Sequence, residues 1–433
     1  MLLENIGNGG TACFGGVVLG KYIINGRKKL SGTARVHGAK NAVLPIMAAT
    51  VLSGDVCRIY DCPNLSDVRH TMRILEMLGC SVSLENSVLT INSASLCSSD
   101  IPEELMSEMR SSIIFLGALT SAMGRACLSA PGGCELGNRP IDLHIKALRE
   151  MGMTIKEENG YLLSDASQMH SADIHLSFPS VGATENIILS AVKLSGITTI
   201  SNAAKEPEIV DLCDFLNAMG ADITGAGTPI ITIHGRAHLH GTDYKIIPDR
   251  IAAATLMCAA MTTKSEIELE NVRSDHLDAV VYALRESGAR IEFFRDRMYI
   301  APPRKILPVS IIKTQVYPGF PTDAQSVAMA YLCGACGTSV IVENLFDSRY
   351  KIIPELIKMG ADILQDGRVC VVKGTPIHGA HVRAMDLRGG AALVVAGLSA
   401  IGDTVVEGAE HIDRGYEKIE KVFEGLGAAI KRV

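Results

Sequence analysis

Two kinds of apolar segment alternate along the 433 residues of this chain. In the first kind, apolar positions recur with helical spacing and the segment ends in Gly followed by a short strand, as at 68–78, 141–151 and 416–426. A glycine there suits the left-handed conformation that ends many helices. Successive glycines of this kind are 73, 68, 68, 72 and 67 residues apart, which predicts six repeats of about 70 residues. They are Gly79, Gly152, Gly220, Gly288, Gly360 and Gly427.

The second kind of segment is apolar on every side and nearly free of charge after its first turn. Because no face of such a helix suits water, we expect it to be buried. One occurs in each repeat, at 41–52, 110–123, 183–194, 250–261, 323–333 and 388–400. Each repeat therefore has one buried helix, one half-exposed helix and short strands. Six such units divide naturally into three plus three, which predicts two similar α/β domains with helices enclosed and sheets outside.

Composition narrows the class of partner and the compartment. Hydrophobic residues make up 47% and charged residues 20% of the chain, and the net charge is −6. This balance argues against a nucleic-acid or anionic-membrane surface as the main partner. The twelve cysteines are scattered, mostly in apolar stretches, and there is no apolar run of 18 residues and no signal peptide. We therefore expect a cytoplasmic protein in a reducing environment.

Polar residues recur at the start of the buried helices. Helix N-termini carry partial positive charge and unpaired N–H groups, so they favour anions. If two domains present these ends to one cleft, an acidic protein gains an electropositive pocket; the alternative is a set of caps and solvated charges. At the helix starts stand Lys40, Arg110, Ser180, Arg250, Asp323 and Arg388. The loops before the half-exposed helices hold Arg139, Glu206, Glu208, Arg349 and Arg414.

Three local motifs bear on chemistry. The loop APGGCELGNRPID (130–142) places Cys134 among glycines, a setting that favours a functional thiol over a packed one. Asp323 opens a buried helix in FPTDAQ, where a carboxylate either caps the helix or accepts a proton from a substrate hydroxyl. The stretch 15–21 reads G-x-x-x-x-G-K, but Tyr22 replaces the Ser or Thr that a phosphate loop needs, so we reject it.

Seven blocks in order carry a resemblance. They are GAKNAVLPI (38–46), PGGCELGNRPIDLHI (131–145), FPSVGATENI (178–187), AKEPEIVD (204–211), FPTDAQ (320–325), DLRGGAALVVAG (386–397) and HIDRGYEKIE (411–420). With them the chain resembles the UDP-N-acetylglucosamine 1-carboxyvinyltransferases, also called UDP-N-acetylglucosamine enolpyruvyl transferases, from about residue 22 to the end. The sister family of 3-phosphoshikimate 1-carboxyvinyltransferases is similar in fold but lacks the PGGC loop.

The resemblance implies a two-domain inside-out α/β barrel with the active site between the domains. It places residues 21–39 and 249–433 in one discontinuous domain and residues 40–248 in the other, and we expect residues 1–20 to form a disordered extension. It also implies the reaction: the enolpyruvyl group of phosphoenolpyruvate moves to the 3-hydroxyl of UDP-N-acetylglucosamine and phosphate leaves, which begins peptidoglycan synthesis. No metal or organic cofactor is implied, and fosfomycin is expected to alkylate the loop cysteine.

Site residues follow from the same resemblance, position by position. It implies phosphate contacts for Lys40, Arg139 and Arg414, contacts to the carboxylate of phosphoenolpyruvate for Arg349 and Arg388, and sugar contacts for Asn41 and Asp323, with Asp323 the base on the 3-hydroxyl. Catalytic roles fall to Cys134, Asp323, Lys40 and Arg414. The nucleotide-sugar pocket is implied at Arg110, Arg139, Pro140, Asp142, Leu143, Ser180, Val181, Gly182 and Leu345.

Two segments of the chain differ from the pattern of the family, and two alternative functions remain open. The chain reads PDRIAAA at 248–254 and DSRY at 347–350 where the family often reads PDRIE-x-G and ENRF. A catalytically weak regulatory paralogue would carry the same motifs, and the shikimate-phosphate enzyme is the nearest alternative activity. The sequence also leaves open whether Cys134 acts in the chemistry or in product release.

Overall fold

The computed structural model describes residues 20–129 and 141–433, and the helices below are those of this part of the chain. The α-helices are α1 (Lys40–Ala49), α2 (Ser66–Met77), α3 (Glu103–Glu108), α4 (Phe115–Met123), α5 (Asp142–Glu150), α6 (Val181–Ala191), α7 (Pro207–Ala218), α8 (Arg250–Thr263), α9 (Asp278–Glu286), α10 (Thr322–Leu332), α11 (Ile353–Lys358), α12 (Leu387–Ser399), α13 (Ala409–Ile412) and α14 (Ile419–Gly425). Short 3-10 helices span Thr50–Leu52, Arg110–Ile114, Ser274–His276 and Arg349–Ile352.

Short strands fill the intervals between the helices. They are β1 (Lys21–Asn25), β2 (Thr33–Arg35), β3 (Val56–Tyr60), β4 (Ser81–Glu85), β5 (Val88–Asn92), β6 (Asp100–Ile101), β7 (Arg125–Ser129), β8 (Thr154–Glu158), β9 (Tyr161–Asp165), β10 (Asp173–His175), β11 (Ile197–Ser201), β12 (Asp222–Thr224), β13 (Ile230–His234), β14 (Asp243–Lys245), β15 (Ile267–Glu270), β16 (Arg290–Phe294), β17 (Arg297–Ala301), β18 (Ile312–Lys313), β19 (Thr338–Val342), β20 (Asp362–Asp366), β21 (Val369–Lys373), β22 (His381–Arg383), β23 (Asp403–Glu407) and β24 (Ala429–Arg432).

In the described residues these strands form six four-stranded sheets that share one pattern. The orders are β22-β23-β1-β24, β6-β7-β9-β8, β10-β11-β13-β12, β14-β3-β5-β4, β16-β17-β15-β2 and β18-β19-β21-β20. Every sheet has one parallel edge pair and two antiparallel pairs. The six predicted repeats are thus confirmed at the level of strand pairing.

The six glycines that mark the repeats share one backbone conformation. Their φ angles lie between +81° and +100°, in the left-handed region that favours glycine. The helix end predicted at each of these positions is therefore confirmed.

Two strands have exchanged sheets. In four repeats the strand before the buried helix pairs in parallel with the strand after it, as β6 does with β7. By contrast β2 precedes α1 but pairs with β15, while β14 precedes α8 but pairs with β3. The two connections cross at a bridge between Gly38 and Pro248. The chain therefore passes twice between two groups of sheets, at about residues 36–40 and 246–249.

Two separate clusters of buried residues lie on either side of these crossings. One contains Tyr22 to Val36 together with Ala252 to Ile430, and the other runs from Val43 to Ile246. Three buried helices, α8, α10 and α12, pack against one another in the first cluster, and α4 packs on α6 in the second. We propose a domain boundary at the crossings, with residues 21–39 and 249–433 on one side and 40–248 on the other. Residues 1–19, which belong to the predicted disordered extension, lie outside the described part of the chain.

Candidate functional site

The Asp323 carboxylate is held by two buried arginines. Asp323 lies in the first turn of α10, and Pro321 occupies the N-cap position. The Nη2 atom of Arg349 donates to Asp323 Oδ1 at 2.9 Å, and Nη2 of Arg388 donates to Oδ2 at 3.0 Å. Asn41 lies in the other group of sheets, and its side-chain Nδ2 donates to Oδ2 of Asp323 at 3.5 Å. The structure therefore brings three of the predicted site residues to the carboxylate of a fourth.

Hydrogen bonds and a ring contact hold Arg388 in place at the start of α12. The carboxylate of Asp386 caps this helix and accepts the backbone N–H groups of Arg388 and Gly389 at 3.0 and 2.9 Å. The Arg388 guanidinium lies 5.7 Å from the centre of the Tyr416 ring. Burial acts to lower the pKa of Arg388, but Asp323, Tyr416 and Asp249 together raise it above its ordinary value. Arg388 is therefore a fixed positive charge.

A second cluster is centred on Asp67, in the first turn of α2. Its Oδ2 lies 2.7 Å from Nζ of Lys40, and its Oδ1 accepts from Nε of Arg414 at 2.8 Å. The backbone N–H of Lys40 donates to Asp249, which caps α8 across the chain crossing. Burial lowers the pKa of Lys40, and Arg414 and Arg388 add to this effect while Asp67 opposes it. Lys40 and Arg414, both predicted to bind phosphate, thus share one buried counter-ion.

Some of the predicted nucleotide-sugar residues, including Arg110 and Gly182, lie near His144 on α5. Asn186 on α6 donates its amide to Nδ1 of His144 at 2.8 Å. A Cβ on Gly182 would lie 2.8 Å from Cε1 of the ring, so the residue at 182 has to be small. Burial, and next the charge of Arg110, lower the pKa of His144 to about 4, so the ring is neutral at pH 7.

The start of α5 and the start of α6 face each other around this histidine. Asp142 and Leu143 open α5, and Ser180 caps α6, where its hydroxyl accepts from the N–H of Ala183 at 3.4 Å. Val181 and Gly182 form the first turn of α6. Helix α5 packs on α6, so residues far apart in the sequence meet at one place.

Leu345 belongs to a loop organised by the buried Glu343. The Oε1 atom of Glu343 accepts the backbone N–H groups of Leu345 and Phe346 at 2.9 and 3.0 Å. Its Oε2 accepts from the Thr322 hydroxyl at 3.0 Å, and Thr322 in turn accepts from Nε of Arg349. The loop that carries Leu345 is therefore connected through hydrogen bonds to the start of α10, next to Asp323.

One more charged contact crosses between the two groups of sheets. Arg250 at the start of α8 donates to both oxygens of Glu208 on α7, at 2.9 and 3.2 Å. Nearby, Glu206 accepts the backbone N–H of Tyr317 at 3.3 Å, and the Tyr317 ring lies 5.5 Å from the Arg250 guanidinium. These acidic residues neutralise Arg250, which the sequence placed among the anion-binding candidates.

Carboxylates lie among the cations of the predicted electropositive cleft. In the described part of the chain, Lys40 and Arg414 share Asp67, Arg349 and Arg388 share Asp323, and Arg250 pairs with Glu208. Helix starts do converge as expected, but carboxylates stand between the cations because buried charges need partners. Three predicted site residues, Cys134, Arg139 and Pro140, lie outside the described residues.

Comparison with known proteins gives the family. A family model described as EPSP synthase (3-phosphoshikimate 1-carboxyvinyltransferase) matches residues 24–423. The chain is 50% identical over 416 residues to UDP-N-acetylglucosamine 1-carboxyvinyltransferase 2 of Caldanaerobacter subterraneus subsp. tengcongensis, with 96% of this chain and 100% of the relative covered. It is 48% identical over 414 residues to UDP-N-acetylglucosamine 1-carboxyvinyltransferase 1 of Carboxydothermus hydrogenoformans, with 95% and 98% covered. The chain belongs to the UDP-N-acetylglucosamine 1-carboxyvinyltransferase family.

Solved structures confirm the predicted fold class. The enolpyruvyl transferase NikO from Streptomyces tendae matches with a TM-score of 0.85 at 25% identity, covering 96% of this chain and 99% of that chain. An EPSP synthase from Acinetobacter baumannii matches with a TM-score of 0.74 at 19% identity, covering 96% and 100%. At that identity the second match shows the fold alone.

Sequence reasoning missed several residues that this carboxyvinyltransferase fold brings to the site. Asp67 pairs with Lys40 and Arg414. Asp249 accepts the backbone N–H of Lys40, and Glu343 accepts the backbone N–H of Leu345. Asp249 carried a signal, since Asp before a buried helix is a good cap. His144 lay inside a quoted motif without being singled out. Asp67 carried no signal, because its role depends on a contact with Arg414, 347 residues away.

Most cysteines of the described part are packed in the protein interior, as their apolar sequence surroundings predicted. Seven of the ten are buried, and burial raises the pKa of Cys80 to about 11 and of Cys213 to about 12. Thiols of this kind are poor nucleophiles at neutral pH. In the same part of the chain, no group of three or more His, Cys, Asp or Glu side chains is placed to hold a metal ion.

Proposed function

We propose that the protein transfers the enolpyruvyl group of phosphoenolpyruvate to the 3-hydroxyl of UDP-N-acetylglucosamine and releases phosphate, the first committed step of peptidoglycan synthesis. The relatives that bear the carboxyvinyltransferase name support it, since they match over nearly the whole chain. The observation that carries it is the Asp323 carboxylate, held by Arg349 and Arg388 and reached by Asn41. This arrangement suits an anionic three-carbon substrate beside a hydroxyl nucleophile.

The sugar is proposed to bind with its 3-hydroxyl at Asp323. Asn41 would donate to the sugar, and Asp323 would accept the hydroxyl proton as the oxygen attacks C2 of phosphoenolpyruvate. The uridine end would lie against the group around His144, where Arg110 supplies positive charge and Ser180 and Val181 open a helix. Leu345 would contact the sugar from the other side. Arg139 and Pro140 would complete this pocket.

The phosphate is proposed to bind at the Lys40 and Arg414 cluster together with Arg139. Proton transfer to the methylene carbon makes C2 electrophilic, and Cys134 is the proposed acid or a partner in product release. The tetrahedral adduct then loses phosphate and a methyl proton, which restores the alkene. Cations near the leaving phosphate compensate its charge at that step.

Arg349 and Arg388 link the two proposed substrate positions. They donate to Asp323 in the structure, and they are also the proposed partners of the carboxylate of phosphoenolpyruvate. Binding of phosphoenolpyruvate would therefore replace the contacts between these arginines and Asp323.

The proposal includes the cellular setting. We propose action in the cytoplasm, without a metal or organic cofactor, in cell-wall synthesis and so in cell shape and division, with fosfomycin as an inhibitor. In residues 20–129 and 141–433, no helix is both long and apolar enough to span a membrane.

Phosphate release tests the activity. The protein is incubated with phosphoenolpyruvate and either UDP-N-acetylglucosamine or shikimate 3-phosphate, and free phosphate is measured over time. We expect release only with the nucleotide sugar. Release only with shikimate 3-phosphate would assign the sister activity, and no release with either would favour a regulatory paralogue.

A further inference from the structure

Asp67 is a buried carboxylate that the proposed reaction does not use, and it joins residues from distant parts of the chain. It lies in the first turn of α2, Lys40 opens α1, and Arg414 follows α13 near the end of the chain. Lys40 approaches one oxygen at 2.7 Å, and Arg414 donates from Nε to the other at 2.8 Å. A single carboxylate therefore sets the separation between two cations.

The start of α2 also holds the backbone that carries Arg414. The N–H of Ser66 donates to the carbonyl oxygen of Asp413 at 3.0 Å, and the N–H of Asn64 donates to Glu417 at 2.9 Å. The segment 413–417 is thus attached to α2 through both backbone and side chain. These bonds hold the segment that carries Arg414 against the start of α2.

Charge around Asp67 is balanced in a buried setting. Burial acts to raise the pKa of Asp67, and the charges of Lys40 and Arg414 bring it below its ordinary value. The pKa of Lys40 is lowered by burial, and Asp67 is the group that opposes this most strongly. Among residues 20–129 and 141–433, the charged groups facing Lys40 include Asp67 on α2, Arg414 after α13, Arg388 on α12 and Asp249 before α8.

We infer that Asp67 is a positioning residue for the phosphate end of phosphoenolpyruvate, holding the Lys40 ammonium and the Arg414 guanidinium together across the two groups of sheets. This inference rests on the proposed function. Asp67 is not proposed to contact a substrate or the reacting atoms. It acts through Lys40 and Arg414. It also keeps Lys40 charged, since Arg414 and Arg388 would otherwise favour loss of its proton.

The Asp67→Asn variant tests the inference through substrate-specific kinetics. We expect the KM for phosphoenolpyruvate to rise about 10-fold at pH 6.5 and about 100-fold at pH 8.5, because Lys40 deprotonates more easily without its counter-ion. The KM for UDP-N-acetylglucosamine should stay within about twofold, since that substrate is bound elsewhere. Equal rises in both KM values, or a ratio to wild type that does not change with pH, would overturn the inference.

Two further variants separate charge from attachment. Glu417→Ala removes the side chain that accepts from Asn64 but leaves Lys40, Asp67, Arg414 and the backbone bond between Ser66 and Asp413 in place, so it should keep both KM values within about twofold of wild type. Asp67→Glu keeps the carboxylate charge but moves it one methylene further out, so it should restore part of the lost affinity for phosphoenolpyruvate. If Glu417→Ala matched Asp67→Asn, the attachment of the segment and not the Asp67 carboxylate would matter. If Asp67→Asn did not fold, Asp67→Glu would carry the test through its own rise in KM for phosphoenolpyruvate.

Inorganic phosphate makes the test independent of the proposed reaction. The shift in melting temperature on adding phosphate is measured for wild type and Asp67→Asn at pH 8.5. We expect wild type to be stabilised and the variant to lose most of that shift. An undiminished shift would overturn the role of Asp67 even if wild type releases phosphate with UDP-N-acetylglucosamine. A lost shift would support the role even if that activity were absent.

Discussion

Two carboxylates, Asp67 and Asp323, each hold a pair of cations, but their burial is reversed. The side chain of Asp67 is 5% exposed while its partner Arg414 is 39% exposed. The side chain of Asp323 is 26% exposed while Arg349 and Arg388 behind it are 1% and 3% exposed. In one cluster the acid is inside and a cation faces outward; in the other the cations are inside and the acid faces outward.

This reversal agrees with the proposed roles of Asp67 as a scaffold and Asp323 as a reacting group. A buried carboxylate that keeps its partners orients them, so the exposed part of the Asp67 cluster is its cation, which suits an incoming phosphate. A partly exposed carboxylate backed by buried arginines can meet a substrate hydroxyl directly. The two clusters therefore divide the proposed work between anion binding and proton transfer.

Alkylation of Cys134 by fosfomycin is expected to give the largest effect and tests the Asp67 cluster. Fosfomycin carries a phosphonate group and an epoxide. Lys40, Arg139 and Arg414 should bind the phosphonate, which places the epoxide next to the Cys134 thiol. Peptide mass mapping should find the adduct on Cys134, faster with UDP-N-acetylglucosamine present, and none in Cys134→Ala. Cys134→Asp should resist the drug. An adduct spread over several cysteines would contradict the site assignment, since the raised pKa of buried thiols such as Cys80 predicts slow reaction there.

Loss of stability should distinguish the two sets of arginines. Arg349→Met removes a buried group that donates to Asp323 and Thr322, so we expect a loss of about 2 kcal/mol in unfolding free energy. Arg414→Met removes a partly exposed group and leaves Asp67 paired with Lys40, so we expect a loss below about 1 kcal/mol. Urea unfolding followed by circular dichroism measures both. Equal losses would show that the reversal of burial has no energetic meaning.

Removal of residues 1–19 should have the smallest effect. This stretch lacks hydrophobic periodicity and matches nothing in the repeats. We expect turnover and melting temperature to stay near those of the full chain. A large fall in either would show that the segment supports one of the two clusters.

The repeat architecture could be predicted because it rests on local patterns. Helix spacing, all-apolar helices and the recurring glycines are visible along the chain, and they correspond to the buried helices and helix ends observed. The sheet exchange of β2 and β14 could not be predicted from such patterns. It depends on which distant strand is the partner, and short strands such as TAR and DYK carry no such information.

The residues proposed for the site could be named from the sequence, but the pairings among their charges could not. Asn41, Asp323, Arg349 and Arg388 were predicted from the resemblance, and the structure brings them close together. The sequence indicated a positive cleft because it shows charges and not their partners. Which carboxylate neutralises which cation depends on contacts such as Asp67 with Arg414, which only the folded chain defines.

The most direct test compares Asp323→Asn with Asp67→Asn at saturating concentrations of both substrates, measured as the rate of phosphate release. The variants make the same chemical change in the two clusters, and melting temperatures confirm that both are folded. We expect Asp323→Asn to lose turnover by a factor of about 10² to 10⁴, as a general base should, and Asp67→Asn to keep kcat within about 10-fold of wild type. Near-normal turnover in Asp323→Asn, or an equal loss in both variants, would contradict the division between reacting group and scaffold.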